Sequence, residues 1–96
     1  MPYRTTKKVD EDIIGIYLHG VKNFGQAQAE KYHAGLEKTF ALLNENPDMA
    51  RERMEFHPPV HIHFHEVHVV VYVANEEGIL ILRVLPGRQD WESYLS

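Results

Sequence analysis

The spacing of apolar residues changes once along this chain. From Val9 they recur as Val9, Ile13, Ile16, Tyr17 and Phe24, and again as Ala29, Tyr32, Leu36, Phe40 and Leu43. Both sets follow the stripe of an amphipathic helix. Thr5 or Thr6 can cap the first helix, Asp10, Glu11 and Asp12 sit where its dipole favours anions, and Gly25 ends it. Pro47 stops the second helix beyond Asn46. Two helices meeting at a glycine predict an αα-hairpin. Residues 47–59 form a mixed-charge connector closed by Pro58-Pro59.

Beyond the connector the period falls to two. Val60, Ile62 and Phe64 alternate with His61, His63 and His65, the pattern of a half-buried strand whose imidazoles face water. The runs Val69 to Val73 and Ile79 to Leu85 are almost unbroken, as expected of strands covered on both faces, and Asn75-Glu76-Glu77-Gly78 is the turn between them. Tyr3-Arg4-Thr5 is β-compatible, and Arg88 to Leu95 is expected to make one or two helical turns. The expected fold class is α+β: one domain over residues 1–96, a helical hairpin on a small antiparallel sheet with a short C-terminal tail helix.

Two helices cover only one face of such a sheet. Simple alternation sets Leu80, Leu82 and Val84 opposite Ile79, Ile81 and Leu85, so one set lacks a helix to bury it. Either the tail around Trp91 and the connector fold over that face, or a partner does; a partner is the expectation, because large uncovered apolar patches mark interfaces.

Composition adds exclusions. The 96 residues hold no cysteine, so disulfides, thiolate metal sites and a cysteine nucleophile are excluded, and a reducing, cytoplasmic setting is expected. No apolar run is long enough to span a membrane, and the first residues lack a signal-peptide core. The net charge of −4 is unevenly placed. Residues 1–53 are balanced, whereas residues 54–96 set only Arg83 and Arg88 against Glu55, Glu66, Glu76, Glu77, Asp90 and Glu92. Such a half is a poor surface for phosphates, so direct nucleic-acid binding is not expected.

Candidate chemistry is sparse. Of seven histidines, five lie between His57 and His68, and His61-x-His63-x-His65 with His68 offers imidazoles that zinc or nickel would accept. No carboxylate stands out to orient them, and His65-Glu66-Val67-His68 is one residue short of the zinc-protease helix motif, so no metal and no cofactor is expected. A pH-sensitive partner surface and a plain solvated face are the other readings of the same row. Arg83, a cation in an apolar strand, needs either an ion pair, with Asp90 or Glu66 the nearest candidates, or an acidic partner group. Trp91 and Tyr94 suit a packing plug or an interface anchor. The serines are Ser93 and Ser96 alone, no glycine-rich phosphate loop exists, and no catalytic residue can be named.

The order of short motifs adds a resemblance. Arg83-Val84-Leu85-Pro86-Gly87-Arg88-Gln89-Asp90-Trp91 is similar to the C-terminal segment of ParE toxins of type II ParD–ParE toxin–antitoxin (plasmid stabilization) systems, within the wider ParE/RelE superfamily. Asp12-Ile13-Ile14 through Tyr17, Asn23-Phe24-Gly25 with Gln28-Ala29-Glu30, Asn44-Glu45-Asn46-Pro47 leading to Arg51, and His68-Val69-Val70-Val71-Tyr72 resemble the same family. The resemblance implies the RelE/ParE-like fold and a toxin that inhibits DNA gyrase without catalysing a reaction. It also implies neutralisation by a ParD-like antitoxin wrapped over helices and sheet. Partner contacts are then expected at Ile13, Tyr17, Tyr72, Leu80, Leu82, Arg83, Arg88 and Trp91. RelE-type relatives instead cleave ribosome-bound mRNA with a basic groove. Here Pro86 stands where such toxins often carry histidine and the strand half is acidic, so the gyrase reading is preferred.

Overall fold

The computed structural model describes residues 2–88 and 90–95. Its elements follow the expected order. Strand β1 (Arg4–Thr5) leads into helices α1 (Lys7–Phe24) and α2 (Gln26–Glu45), and β2 (Glu52–Arg53) follows a 3-10 turn at Pro47–Met49. Strands β3 (Val60–His65), β4 (His68–Asn75) and β5 (Gly78–Pro86) precede a second 3-10 turn at Trp91–Tyr94, in place of the expected tail helix. The sheet runs β1-β5-β4-β3-β2. It is mixed rather than wholly antiparallel, because β1 pairs in parallel with the outer side of β5, Arg4 opposite Leu80 and Thr5 opposite Ile81.

Thr6 starts α1 and ties it to the sheet. Its Oγ1 accepts from Val9 N at 3.2 Å and donates to Leu82 O at 3.0 Å, and its own N–H donates to Ile81 O. Gly25, at φ 90°, serves as C-cap of α1 and N-cap of α2, a conformation glycine adopts without a Cβ penalty.

The apolar residues divide into two clusters, one on each side of the sheet. Val9, Leu36, Phe40 and Leu43 of the hairpin pack on Val70, Tyr72, Ile79, Ile81 and Val84. On the opposite side Phe56 of the connector and Trp91 of the tail cover Val60, Ile62, Val69, Val71 and Leu85. The second face is therefore covered at its centre by this chain itself, not by a partner. Leu82 and Leu95 are only partly buried at its border, and Phe64 is 59% exposed while meeting Trp91 edge to face at 6.0 Å.

Two details of alternation differ from expectation. Tyr72 pairs with Ile81 and Val71 with Arg83, so Leu82 is an extra residue on β5. This bulge reverses the phase. Val84 thus joins Ile79 and Ile81 under the helices, and Leu85 passes to the tail side. The histidine row also lies under the helices and not in solvent. Packing neighbours accommodate His61 there: the ring, 7% exposed, stacks on Tyr72 at 4.8 Å and its Nδ1 lies 2.6 Å from Ala50 O.

Gly78 closes the β4–β5 turn at φ 120°, and a Cβ there would meet Asn44 Oδ1 at 2.6 Å, the oxygen that accepts from Ile79 N. Gly35 lies mid-helix, where a Cβ would only touch the His65 ring at 3.8 Å. Gly35→Ala should therefore stabilise the protein by about 0.5–1 kcal/mol, and Gly78→Ala should destabilise it by about 2 kcal/mol or more. Urea unfolding of the two variants checks the opposite signs.

Candidate functional site

Three features near α1 and the β5 edge concentrate unusual chemistry. The first is an ion pair. The bulge at Leu82 sets Arg83 opposite Val71 on the tail side, and its guanidinium reaches round the β5 edge to α1, where Nε and Nη2 donate to Asp12 Oδ2 and Oδ1 at 2.9 and 3.0 Å. Asp12 Oδ2 also accepts Val84 N at 3.0 Å, an edge group that no strand pairs. The Arg83 side chain is 23% exposed and that of Asp12 14%. The hydrogen bond to Asp12 raises the Arg83 pKa further above its usual value, and the guanidinium also lies 5.6 Å from the Tyr94 ring centroid. Asp12, rather than the expected Asp90 or Glu66, is the partner. Asp12→Ala would leave a half-buried cation and an edge N–H without their acceptor, at a cost of about 2–3 kcal/mol. Asp12→Asn keeps one oxygen and should lose about half of that, which urea unfolding resolves.

The second feature is a hydrogen-bonded cluster where the β3–β4 turn meets α2. The register sets His65 opposite His68, and α2 crosses above them. Tyr32 Oη lies 2.5 Å from His68 Nδ1, and Thr39 Oγ1 3.0 Å from His65 Nδ1. His65 Nε2 is buried and makes no hydrogen bond among the described residues, while Glu66 Oε2 stands 3.6 Å away. Burial, then the neighbouring His65, pushes the His63 and His68 pKa values down, with His19 adding to the effect at His68 and Glu66 opposing it. Burial, reinforced by Glu66, pushes Tyr32 up to about 12. Among the described residues no three His, Cys, Asp or Glu side chains converge to hold a metal ion.

These shifts give stability a plateau. The two histidines hold fewer protons folded than unfolded, so their contribution is intact above the ordinary imidazole value of 6.5 and is lost as pH falls through their lower native values. Tyr32 resists ionisation in the fold, so its contribution is intact below 10.0 and lost as pH rises towards about 12. Thermal unfolding midpoints should fall on both sides of that plateau, and His63→Gln with His68→Gln should flatten the acid limb alone.

The third feature is open apolar space beside α1. A groove of about 290 Å³ between the helices is lined by Ile13, Ile16, Tyr17, Phe24, Tyr32 and Leu36. A wider one of about 710 Å³ runs between α1 and the outer edge of β5, past Ile16, His19, Phe24, His68, Pro86 and Arg88. That edge carries no strand beyond Leu82 among the described residues.

Against this map the expected contact residues separate. Ile13 and Tyr17 line the first groove, and Arg88 is exposed at the second. Leu80 and Leu82 are half-buried on the tail side. Tyr72 is wholly inaccessible and donates its hydroxyl proton to Pro47 O, so the folded chain offers no Tyr72 surface to a partner. Trp91, 9% exposed, is the packing plug of the second cluster, and Arg83 is engaged by Asp12. Sequence reasoning missed Phe24 as a surface residue: it continues the α1 stripe but is 69% exposed, because the hairpin ends beside it. It also missed Ile14 and Leu18, whose helical spacing was legible but off the chosen stripe.

Together these features define a small α+β protein whose open chemistry is apolar grooves and a free strand edge. Comparison with known proteins is consistent with that class. Residues 3–91 match the family model described as the ParE toxin of the type II toxin–antitoxin system, parDE, and the chain belongs to that family. It is 27% identical over 90 residues to Toxin ParE3 of Caulobacter vibrioides, covering 94% of this chain and 90% of that protein. In fold it matches a solved structure of the chromosomal ParDE toxin–antitoxin system from P. aeruginosa, with a TM-score of 0.76 and 23% identity over 90% of this chain and 95% of the other. No helix among the described residues is long and apolar enough to cross a membrane.

Proposed function

We propose that this chain is the toxin of a type II toxin–antitoxin pair, held inactive in the cytoplasm by a ParD-like antitoxin. The observation that carries this reading is the half-covered apolar face of α1, which buries only Val9 completely and leaves Ile13, Ile16 and Tyr17 lining an open groove. An antitoxin segment that fills the groove and runs along the outer side of β5 would supply the missing apolar burial. Membership of the ParE toxin family supports the same partner.

Its target is DNA gyrase, which it inhibits by binding and not by catalysis. Arg83 is neutralised by Asp12, Pro86 offers no acid or base, and the strand half is net negative, which together make a poor phosphate-holding surface. One observation favours the mRNA endonuclease alternative: His68, hydrogen-bonded to Tyr32, borders the same groove as His19 and Arg88. Two assays separate them. Purified protein should stop gyrase supercoiling at micromolar concentration, and Arg88→Ala, an exposed change, should weaken inhibition about tenfold with an unaltered melting temperature. Full supercoiling, with transcripts cut in a translating extract, would transfer the function to mRNA cleavage. Truncation after Gly87 is unsuitable as a test, because it removes Trp91 from the second cluster.

A further inference from the structure

Helix α1 carries a second row whose apolar pair, Ile14 and Leu18, neither the core nor the grooves use, and whose Asp10 Oδ1 accepts from Thr5 Oγ1 at 3.1 Å. Asp10, Ile14, Leu18 and Lys22 follow at intervals of four, so they form one ridge on the helix surface. All four are exposed, Ile14 at 59% and Leu18 at 61%. Gly15 stands beside the ridge, and a Cβ added there would meet no atom within 4 Å, so another helix backbone can approach closely at that point. Isolated exposed apolar residues are ordinary. An adjacent pair bounded by an acid at one end and a base at the other is a different pattern.

The row is complementary to itself. Ile14 and Leu18 are equidistant from residue 16, and so are Asp10 and Lys22. When a second α1 is laid antiparallel about a two-fold axis at that level, Ile14 meets Leu18 twice and Asp10 meets Lys22 at both ends. Glu11 adds a further anion near the same lysine. The arrangement also sets the first turn of each helix beside the last turn of the other, so the two dipoles attract. An isologous contact of this kind needs one patch on one chain, and the patch is present.

We propose that the Asp10–Ile14–Leu18–Lys22 face of α1 is the two-fold interface of a homodimer, the occupant being a second copy of this chain. A pair of 18-residue helices forms a contact at or below the small end of specific interfaces, so association is expected at roughly 10 µM rather than nanomolar concentration. The dimer is thus a concentration-dependent state of the free protein.

Sedimentation velocity of the full chain up to about 200 µM tests this. The expected result is a reversible monomer–dimer equilibrium that Leu18→Asp abolishes. Asp10→Lys and Lys22→Glu should each weaken dimerisation about tenfold, through two like-charge contacts per dimer, and the combined Asp10→Lys/Lys22→Glu protein should recover most of the loss. Circular dichroism melting of every variant separates unfolding from dissociation. A wild-type protein monomeric throughout would overturn the proposal, as would a charge swap no better than its single variants. A monomer whose Leu18→Asp variant loses affinity for a ParD-type antitoxin would overturn it too, and would assign the ridge to the antitoxin.

Discussion

The architecture rests on one constraint: β4 is apolar on both faces. Val69, Val70, Val71 and Tyr72 are consecutive and wholly inaccessible, so every second side chain needs cover from opposite sides of the sheet. The hairpin covers Val70 and Tyr72, and the connector and tail cover Val69 and Val71 through Phe56 and Trp91. A chain of this size has no third layer to spare. The tail is consequently a structural element, although a segment rich in aromatics near the end of a toxin-like sequence invites a reading as a free effector arm. Any effect of removing it on activity is confounded with loss of the second cluster.

The bulge at Leu82 links that constraint to α1. Without the extra residue Val84 would face the tail and Leu85 the helices, and Arg83 would keep the alternation of its strand. With it, Val84 enters the helix-side cluster, and Arg83, opposite Val71 on the tail side, reaches round the β5 edge to Asp12. Asp12 in turn accepts the Val84 N–H, so one carboxylate holds a guanidinium, a strand edge and a helix together. A lone arginine in an apolar strand needs an ion pair or an acidic partner group, and here Asp12 supplies the ion pair, while Arg88 is exposed.

The sequence carried the helices, their glycine junction, the three long strands and the turn at Asn75 to Gly78, because each depends on local periodicity and turn chemistry. Besides β2, the parallel pairing of β1 and the 3-10 form of the tail, two further things were not legible. The bulge changes phase within a uniformly apolar run, where alternation has no polar residue to reveal the slip. The histidine row reads as a solvated face because imidazole is polar, yet its nitrogens find Ala50 O, Thr39 and Tyr32 from segments 11 to 36 residues away in the chain. Only long-range partners decide whether such a ring is buried. The α1–α2 groove was half legible: Ile13 and Tyr17 were expected at a contact surface, but their incomplete burial by α2 depends on how far apart the helices sit.

What remains is why α1 keeps so much apolar surface. A helix in a protein this small is ordinarily held by its buried face, yet α1 buries only Val9 completely. Besides Val9 and the partly buried Ile13 and Ile16, its N-terminal half is held by polar ties, Thr6 to β5 and Asp12 to Arg83 and Val84, each hydrogen bond contributing about 1 kcal/mol. That division leaves Ile14 and Leu18 outside the core, while Ile13 and Ile16 pack on it only in part. Apolar area left open in this way returns about 25 cal/mol per Å² to whatever covers it, and a partner that binds only the folded chain stabilises it by mass action. A partner seated on α1, as proposed, would couple its binding to folding stability through the helix that buries least.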